Sequence, residues 1–325
     1  MRHAVNKLMT WDFWSICSAA ALLHLALFLW LPLLPYILSQ GWGLSASAFA
    51  PLYLIYLIGI LLVGPFHAWL ADVFRRKYIL MLPLLLLTVF PYGCLAASEM
   101  WQLQALMLGA GCCHGLACSA GITISIDIVE SERRSKANKV YALVVSLGAM
   151  LGIGLGSWLS ERLGFYGLAH VMLGLLLLAL CLVAGIYVAF RAPIGVPRCS
   201  SDRFFLPRTW LLAIQMLLFG GIAGLLLPLA HTPEAYLPVG ALLLLLLPLR
   251  TFVTAFVKMS HHCQRATSVH SCLLSLLAGM LVGTAISFCL ADGAASQIAA
   301  LVLFGVSLVL LPFSRKFFQK YRVRM

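Results

Sequence analysis

The stretch Gly64–Leu80, GPFHAWLADVFRRKYIL, lies between two apolar runs and decides how the chain is read. Each flanking run, near 48 to 71 and near 78 to 97, reaches the length of about 20 residues that crosses a bilayer. Asp72 and the basic trio Arg75, Arg76 and Lys77 are thereby the turn between two membrane helices. Lys and Arg in a short turn mark the side that stays in the cytosol.

The whole chain has the same character. Of 325 residues 62% are hydrophobic and 10% charged, with a mean hydropathy of +1.01. A soluble domain carries about 25% charged residues, so a soluble globule is excluded. Windows of about 19 residues place helices near 13 to 38, 48 to 71, 78 to 97, 102 to 127, 138 to 160, 167 to 190, 209 to 230, 236 to 257, 268 to 290 and 296 to 313. The expected fold is an all-α membrane protein, a polytopic bundle of about ten transmembrane helices arranged as six plus four. Residues 1–190 form the N-terminal six-helix bundle and 191–208, rich in Pro, Ser and Arg, a cytosolic linker. Residues 209–314 form the C-terminal four-helix bundle and 315–325 a basic cytosolic tail.

Charge placement supplies the orientation. With the N-terminus in the cytosol, every Lys and Arg except Arg162 and Arg250 falls in an inner gap or tail, while the outer gaps carry Glu99, Glu161, Glu234 and Asp292. Both termini are expected in the cytosol of a cell whose plasma membrane, the bacterial inner membrane, holds the chain. The first helix reads as retained, because no short apolar core ends in a small-residue cleavage site. Trp11, Trp42, Trp101 and Trp210 fall at helix ends, where the indole prefers the headgroup level.

A net charge of +12 can signal a nucleic-acid partner, but basic residues dispersed among alternate gaps do not. The expected partners are the lipid bilayer and a small-molecule solute, with no nucleic acid, no cofactor and the oligomeric state left open. The ten cysteines lie almost entirely in apolar runs and imply no disulfide framework. Cys112, Cys113, His114 and Cys118 share one helix, where neighbours point about 100° apart, so no metal site is expected.

An offset of 131 residues aligns Arg134 with Arg265, Gly148 with Gly279 and Gly152 with Gly283. Each aligned segment leaves a basic inner loop and enters a glycine-bearing helix, the pattern of a duplicated half. Gly148, Gly152 and Gly156 in LGAMLGIGLGSWL recur four apart on one helix face and allow a second helix to approach closely.

Gly64, Asp72, Arg76 and Lys77 resemble the loop motif between helices 2 and 3 of the major facilitator superfamily, with Ala68, Val73 and Arg75 departing from it. The glycine series resembles that family's fifth-helix motif, with Ile153 in place of its Pro and Ser157 in place of its final Gly. The fourth-helix Arg of the family's drug–proton exchangers has no counterpart, since Ala105 precedes Gly109. The resemblance implies alternating access between two bundles, six helices in each. Here the second half is short by a pair, expected to be its second and third helices. Asp72, Arg76, Lys77, Asp127 and Arg134 become the inner gate, with Arg133 or Arg134 the expected partner of Asp127.

Ionisable groups inside a span are functional candidates. At 1.5 Å per residue, His24 lies about 17 Å from the inner end of the first helix and His114 about 18 Å from the outer end of the fourth. His114 shares a stripe with Gln104, Gly111, Cys118, Gly121 and Ser125. The resemblance makes helices 1 and 4 of each half cavity-lining, so His24, His114, Gln215 and Arg250 are the expected substrate contacts. No span carries a midplane acid, and a neutral-to-positive pocket suits a small anionic or hydroxyl-rich organic solute. The function expected is secondary transport of such a solute. A non-transporting remnant or sensor is the alternative, on the strength of the short second half. A membrane-embedded enzyme on lipid-linked substrates would need clustered acids or histidines at one interface. The ten acids are scattered, so no enzyme is expected.

Overall fold

A backbone crossing hydrocarbon must satisfy its own N–H and C=O groups, and an apolar sequence of this kind does so as helices. The computed structural model describes residues 10–188, 195–200, 204–228, 249, 251–261, 264–290 and 293–321, and among these there is no strand. Five spans come first. Helix α1 is Trp11–Trp42, α2 Ala46–Val73, α3 Arg76–Ala96 and α4 Met100–Asp127, followed by the continuous stretch Arg134–Gly185. As one straight helix those 52 residues would be about 78 Å long, far beyond a hydrocarbon core of about 30 Å. Gly164, at φ +67°, breaks the stretch into α5 (134–163) and α6 (165–185). The later helices are α7, Pro207–Leu226; α8, described over 251–258; α9, Arg265–Leu290; and α10, Gly293–Tyr321. These follow the ten spans expected from hydropathy, and residues 236–248 of the eighth lie outside the described residues.

Local sequence sets the ends. The Phe13 N–H donates to Thr10 Oγ1 at 3.2 Å, capping α1. Gly43, at φ +64°, closes α1 in the left-handed conformation that glycine adopts without a Cβ penalty. Glu99 and Gln102 form a reciprocal capping box at the start of α4.

Small residues set the packing. A Cβ at Gly148, Gly152 or Gly156 of α5 would run into the carbonyl of Ala21, Leu25 or Leu29 of α1. Gly279 and Gly283 of α9 meet the carbonyls of Leu217 and Gly221 of α7 in the same way. The partner residues are offset by 196 positions between these two helix pairs, whereas the glycines are offset by 131. Two glycine-carbonyl contacts in the same register identify α7 and α9 as the counterparts of α1 and α5. The second half therefore runs from one to the other with 65 fewer residues, about the length of α2, α3 and their turns. The outward side of α10, including Ile298, Leu301, Val309 and Phe313, stays exposed as a lipid-facing surface.

Candidate functional site

Helices α2 and α4 approach closely because Gly59 and Gly111 present no side chain to one another's backbone. That approach brings Tyr56 of α2 to His114 of α4, with Oη 2.9 Å from Nδ1. From α1, the His24 Nδ1–H donates to the Ala20 carbonyl at 2.8 Å. A carbonyl only accepts, so in the neutral ring His24 Nε2 carries a lone pair. His114 Nε2 stands 3.4 Å from it, with the rings edge to face at 5.1 Å and 69°. A donor chain therefore runs from Tyr56 through His114 to His24. Cys118, one turn beyond His114, places Sγ 3.6 Å from His24 Nε2.

These groups line a cavity of about 750 Å³, its mouth included, bounded by α1, α2, α4, α5 and α9. Most of its wall is apolar, with Phe28, Ile60, Leu273, Leu276, Leu277 and Met280. His270 of α9 lines the same cavity; it is 6% exposed, and its Nε2 has no hydrogen-bond partner among the described residues. At one end of the bundle Tyr53 stacks on Phe288 at 5.9 Å, and Tyr36 meets the same ring at 5.5 Å. At the other, Phe204 stands 6.4 Å from the His67 ring and 5.4 Å from that of His270. Earlier in the linker the Ser200 N–H donates to the Pro65 carbonyl of α2 at 3.0 Å. Leu206 then donates its N–H to Ser271 Oγ of α9 at 2.9 Å.

The charged residues at the facing ends of α2 and α3 have separate partners. Asp72 accepts the Val196 N–H at 3.0 Å. Lys77 donates to the carbonyls of Ala184 and Ile186 at 2.6 and 3.0 Å, closing the end of α6. Arg76 forms an ion pair with Asp127. For Asp127, expected to pair with its own loop at Arg133 or Arg134, the structure supplies a partner on α3. Both expected partners also have local contacts: Arg134 Nε donates to the Val129 carbonyl at 3.5 Å, and Arg133 lies 4.0 Å from Glu130.

Of the four expected solute contacts, His24 and His114 meet in the cavity. Gln215 is fully buried but faces α10, donating to the Ser307 carbonyl at 2.9 Å and to Ser307 Oγ. The cause is the docking of α7 on α10, which encloses the amide and leaves Gln215 off the cavity wall. Arg250 lies outside the described residues. Gln104, on the His114 stripe, is exposed. Sequence reasoning missed His270 and Tyr56. His270 sits five residues from Arg265, at the start of α9, rather than at mid-depth. Tyr56 reads as one more apolar ring until α4 is packed against it.

The chain belongs to the Major Facilitator Superfamily, whose sequence profile matches residues 16–315. Its particular relatives are transporters. A gallate transporter of Pseudomonas putida is 31% identical over 150 residues, which is 44% of this chain and 32% of that protein. This chain thus matches about a third of the curated relative's length. Among solved structures, the human organic anion transporter MFSD10 (TETRAN) is 18% identical, with 96% of each chain covered and a TM-score of 0.53. A bacterial homologue of the human lysosomal transporter Spinster, inward-facing and unoccupied, is 13% identical, covering 94% of this chain and 81% of its own at a TM-score of 0.57. A proton-dependent oligopeptide transporter is also 13% identical, covering 94% and 99% at a TM-score of 0.59. At these identities the solved structures share the fold. The chain is a multi-pass membrane protein of a transporter family.

Proposed function

We propose that this chain is a secondary transporter that carries a small hydroxylated organic carboxylate across the plasma membrane by alternating access. The observation that carries the reading is the cavity in which His24, His114 and His270, drawn from both halves, share a mostly apolar wall. Leucine and methionine side chains offer dispersion contact to a flat ring, while imidazoles exchange hydrogen bonds with a carboxylate and with ring hydroxyls. The gallate transporter among the relatives supports this class, since gallate is a hydroxylated aromatic carboxylate. The Tyr53–Phe288 contact and the His67–His270 contact each join the two halves at opposite ends of the bundle. They serve as gates that open in turn, the second facing the cytosol with both termini, and Asp72, Arg76, Lys77, Asp127 and Arg134 brace that end.

Melting of the purified chain against a panel of solutes tests the class, because a ligand that binds only the folded state raises its stability. Hydroxylated benzoates raise the melting temperature, and cationic amines of the same size leave it unchanged. If no carboxylate shifts the melt while an amine does, the reading is overturned. The 65-residue deficit of the second half supports a second reading, a family member that binds its solute without carrying it. Counterflow in vesicles separates the two.

A further inference from the structure

We propose that His24, His114 and Cys118 form a binding site for one zinc-class transition-metal ion, whose fourth position opens on the cavity and takes an oxygen of the solute. The site stands on this chain's own residues; the role given to its fourth position rests on the transport reading above.

Spacing is the first argument. Tetrahedral bonds of about 2.05 Å to imidazole nitrogen and about 2.3 Å to thiolate sulfur put two nitrogens about 3.3 Å apart and a nitrogen and sulfur about 3.6 Å apart. The two Nε2 atoms are 3.4 Å apart, Cys118 Sγ is 3.6 Å from His24 Nε2, and the three ligand atoms lie within 4.8 Å of one another. A nitrogen–nitrogen distance of 3.4 Å is long for a hydrogen bond, whose usual range is about 2.7–3.2 Å. His114 and Cys118, four apart on α4, present their ligand atoms from one face, and His24 supplies the third from α1. An ion is thus held between two helices, a possibility that counting donors on α4 alone does not reach.

The outer partners are the second argument. A metal-bound imidazole characteristically donates its other N–H to an oxygen, which fixes the ring and its tautomer. The His24 Nδ1–H already donates to the Ala20 carbonyl at 2.8 Å, turning the Nε2 lone pair toward the site. His114 Nδ1 lies 2.9 Å from Tyr56 Oη, which accepts as readily as it donates. With the Tyr56 hydroxyl turned to accept, His114 is held as its Nδ1–H tautomer, whose Nε2 lone pair is available to the ion.

Charge is the third. Two neutral imidazoles and a thiolate select zinc or copper(I) over magnesium or calcium. Binding of a divalent ion displaces the Cys118 thiol proton, leaving a site of net charge +1. A solute carboxylate neutralises that charge. No Lys or Arg is among the described residues of the cavity wall, so the ion supplies what a buried anion requires.

Cobalt(II) alone, added to the purified full-length chain, is the probe. One equivalent binds with the sulfur-to-cobalt charge-transfer band of a tetrahedral thiolate site, and zinc displaces it. Cys118→Ser, nearly isosteric, abolishes the band while Cys112→Ser keeps it. His24→Gln and Cys118→Ser each weaken zinc binding by about 100-fold or more, and Tyr56→Phe weakens it by about 10-fold to 100-fold. A band that survives Cys118→Ser, or sub-stoichiometric binding by the wild-type chain at an unchanged melting temperature, overturns the site. Hydroxybenzoate then alters the ligand-field bands of the cobalt form. If it instead stabilises chelator-treated and cobalt-loaded protein equally without altering those bands, the ion's role in solute binding falls and the transport reading stands. If cobalt binds and no carboxylate acts, the transport reading falls and the metal site stands.

Discussion

His114 is fully buried, yet both its ring nitrogens face partners, Tyr56 on one side and His24 on the other. Removing the ring leaves a hydroxyl and a ring nitrogen of those neighbours without their partner. His114→Ala should therefore lower stability by about 2–4 kcal/mol, in the range of orphaned buried polar groups together with a cavity. Tyr56→Phe, which deletes one hydroxyl, should cost about 0.5–1.5 kcal/mol, and chemical denaturation of both variants measures the difference. The Arg76–Asp127 pair, 23% and 14% exposed, is shielded enough to couple. A double-mutant cycle with Arg76→Gln and Asp127→Asn should return about 1–3 kcal/mol, and a value near zero would reduce the pair to a topology signal. His24 and His114 are legible in the sequence because depth in a membrane helix follows from counting residues. Gln215 joins them only through the cavity-lining role that the family resemblance implies for its helix. Nothing in a single sequence shows that α10 docks on that face of α7, and this contact gives the amide to Ser307.

At the scale of the helix, the glycines spaced by four reveal that one face of α5 is flat, but not which helix fills it. The structure gives α1, with the carbonyls of Ala21, Leu25 and Leu29 against Gly148, Gly152 and Gly156. Gly148→Ala and Gly279→Ala should each destabilise by about 1–3 kcal/mol, because a Cβ there meets backbone that cannot rotate aside. Gly154, with no atom within 4 Å of a Cβ position, is the control. Gly154→Ala should be neutral or stabilising by up to about 1 kcal/mol, the helix preference of alanine over glycine. Melting in one detergent orders the three variants. Equal effects at positions 148 and 154 would contradict the α1–α5 register. The same contacts explain why the duplication is only faintly legible: three aligned residues carry it in sequence, while the backbone repeats it in both helix pairs.

Across the whole molecule, the helical class and the order of the described spans follow from hydropathy alone, since lipid leaves a backbone few other solutions. Hydropathy also places a turn between the fifth and sixth runs, and Gly164 adopts its left-handed conformation there. The proposed orientation expects reagents outside the cell to reach a cysteine introduced at Ser45 or Gly293, and one introduced at Ser201 to react only from the cytosol; the opposite labelling would reverse the orientation. What hydropathy could not convey is that the linker packs behind the cavity's His270, with Phe204 between His67 and His270. The measurement closest to the central proposal is counterflow of radiolabelled hydroxybenzoate in vesicles holding the purified chain, compared with vesicles holding His114→Gln. Wild-type vesicles preloaded with unlabelled solute should accumulate label transiently, and His114→Gln should slow that uptake by about 10-fold or more, the worth of a buried hydrogen bond to a charged group. Equal uptake in both would contradict the placement of the solute at the histidine pair, and no uptake by a wild-type chain that binds the solute would contradict transport itself.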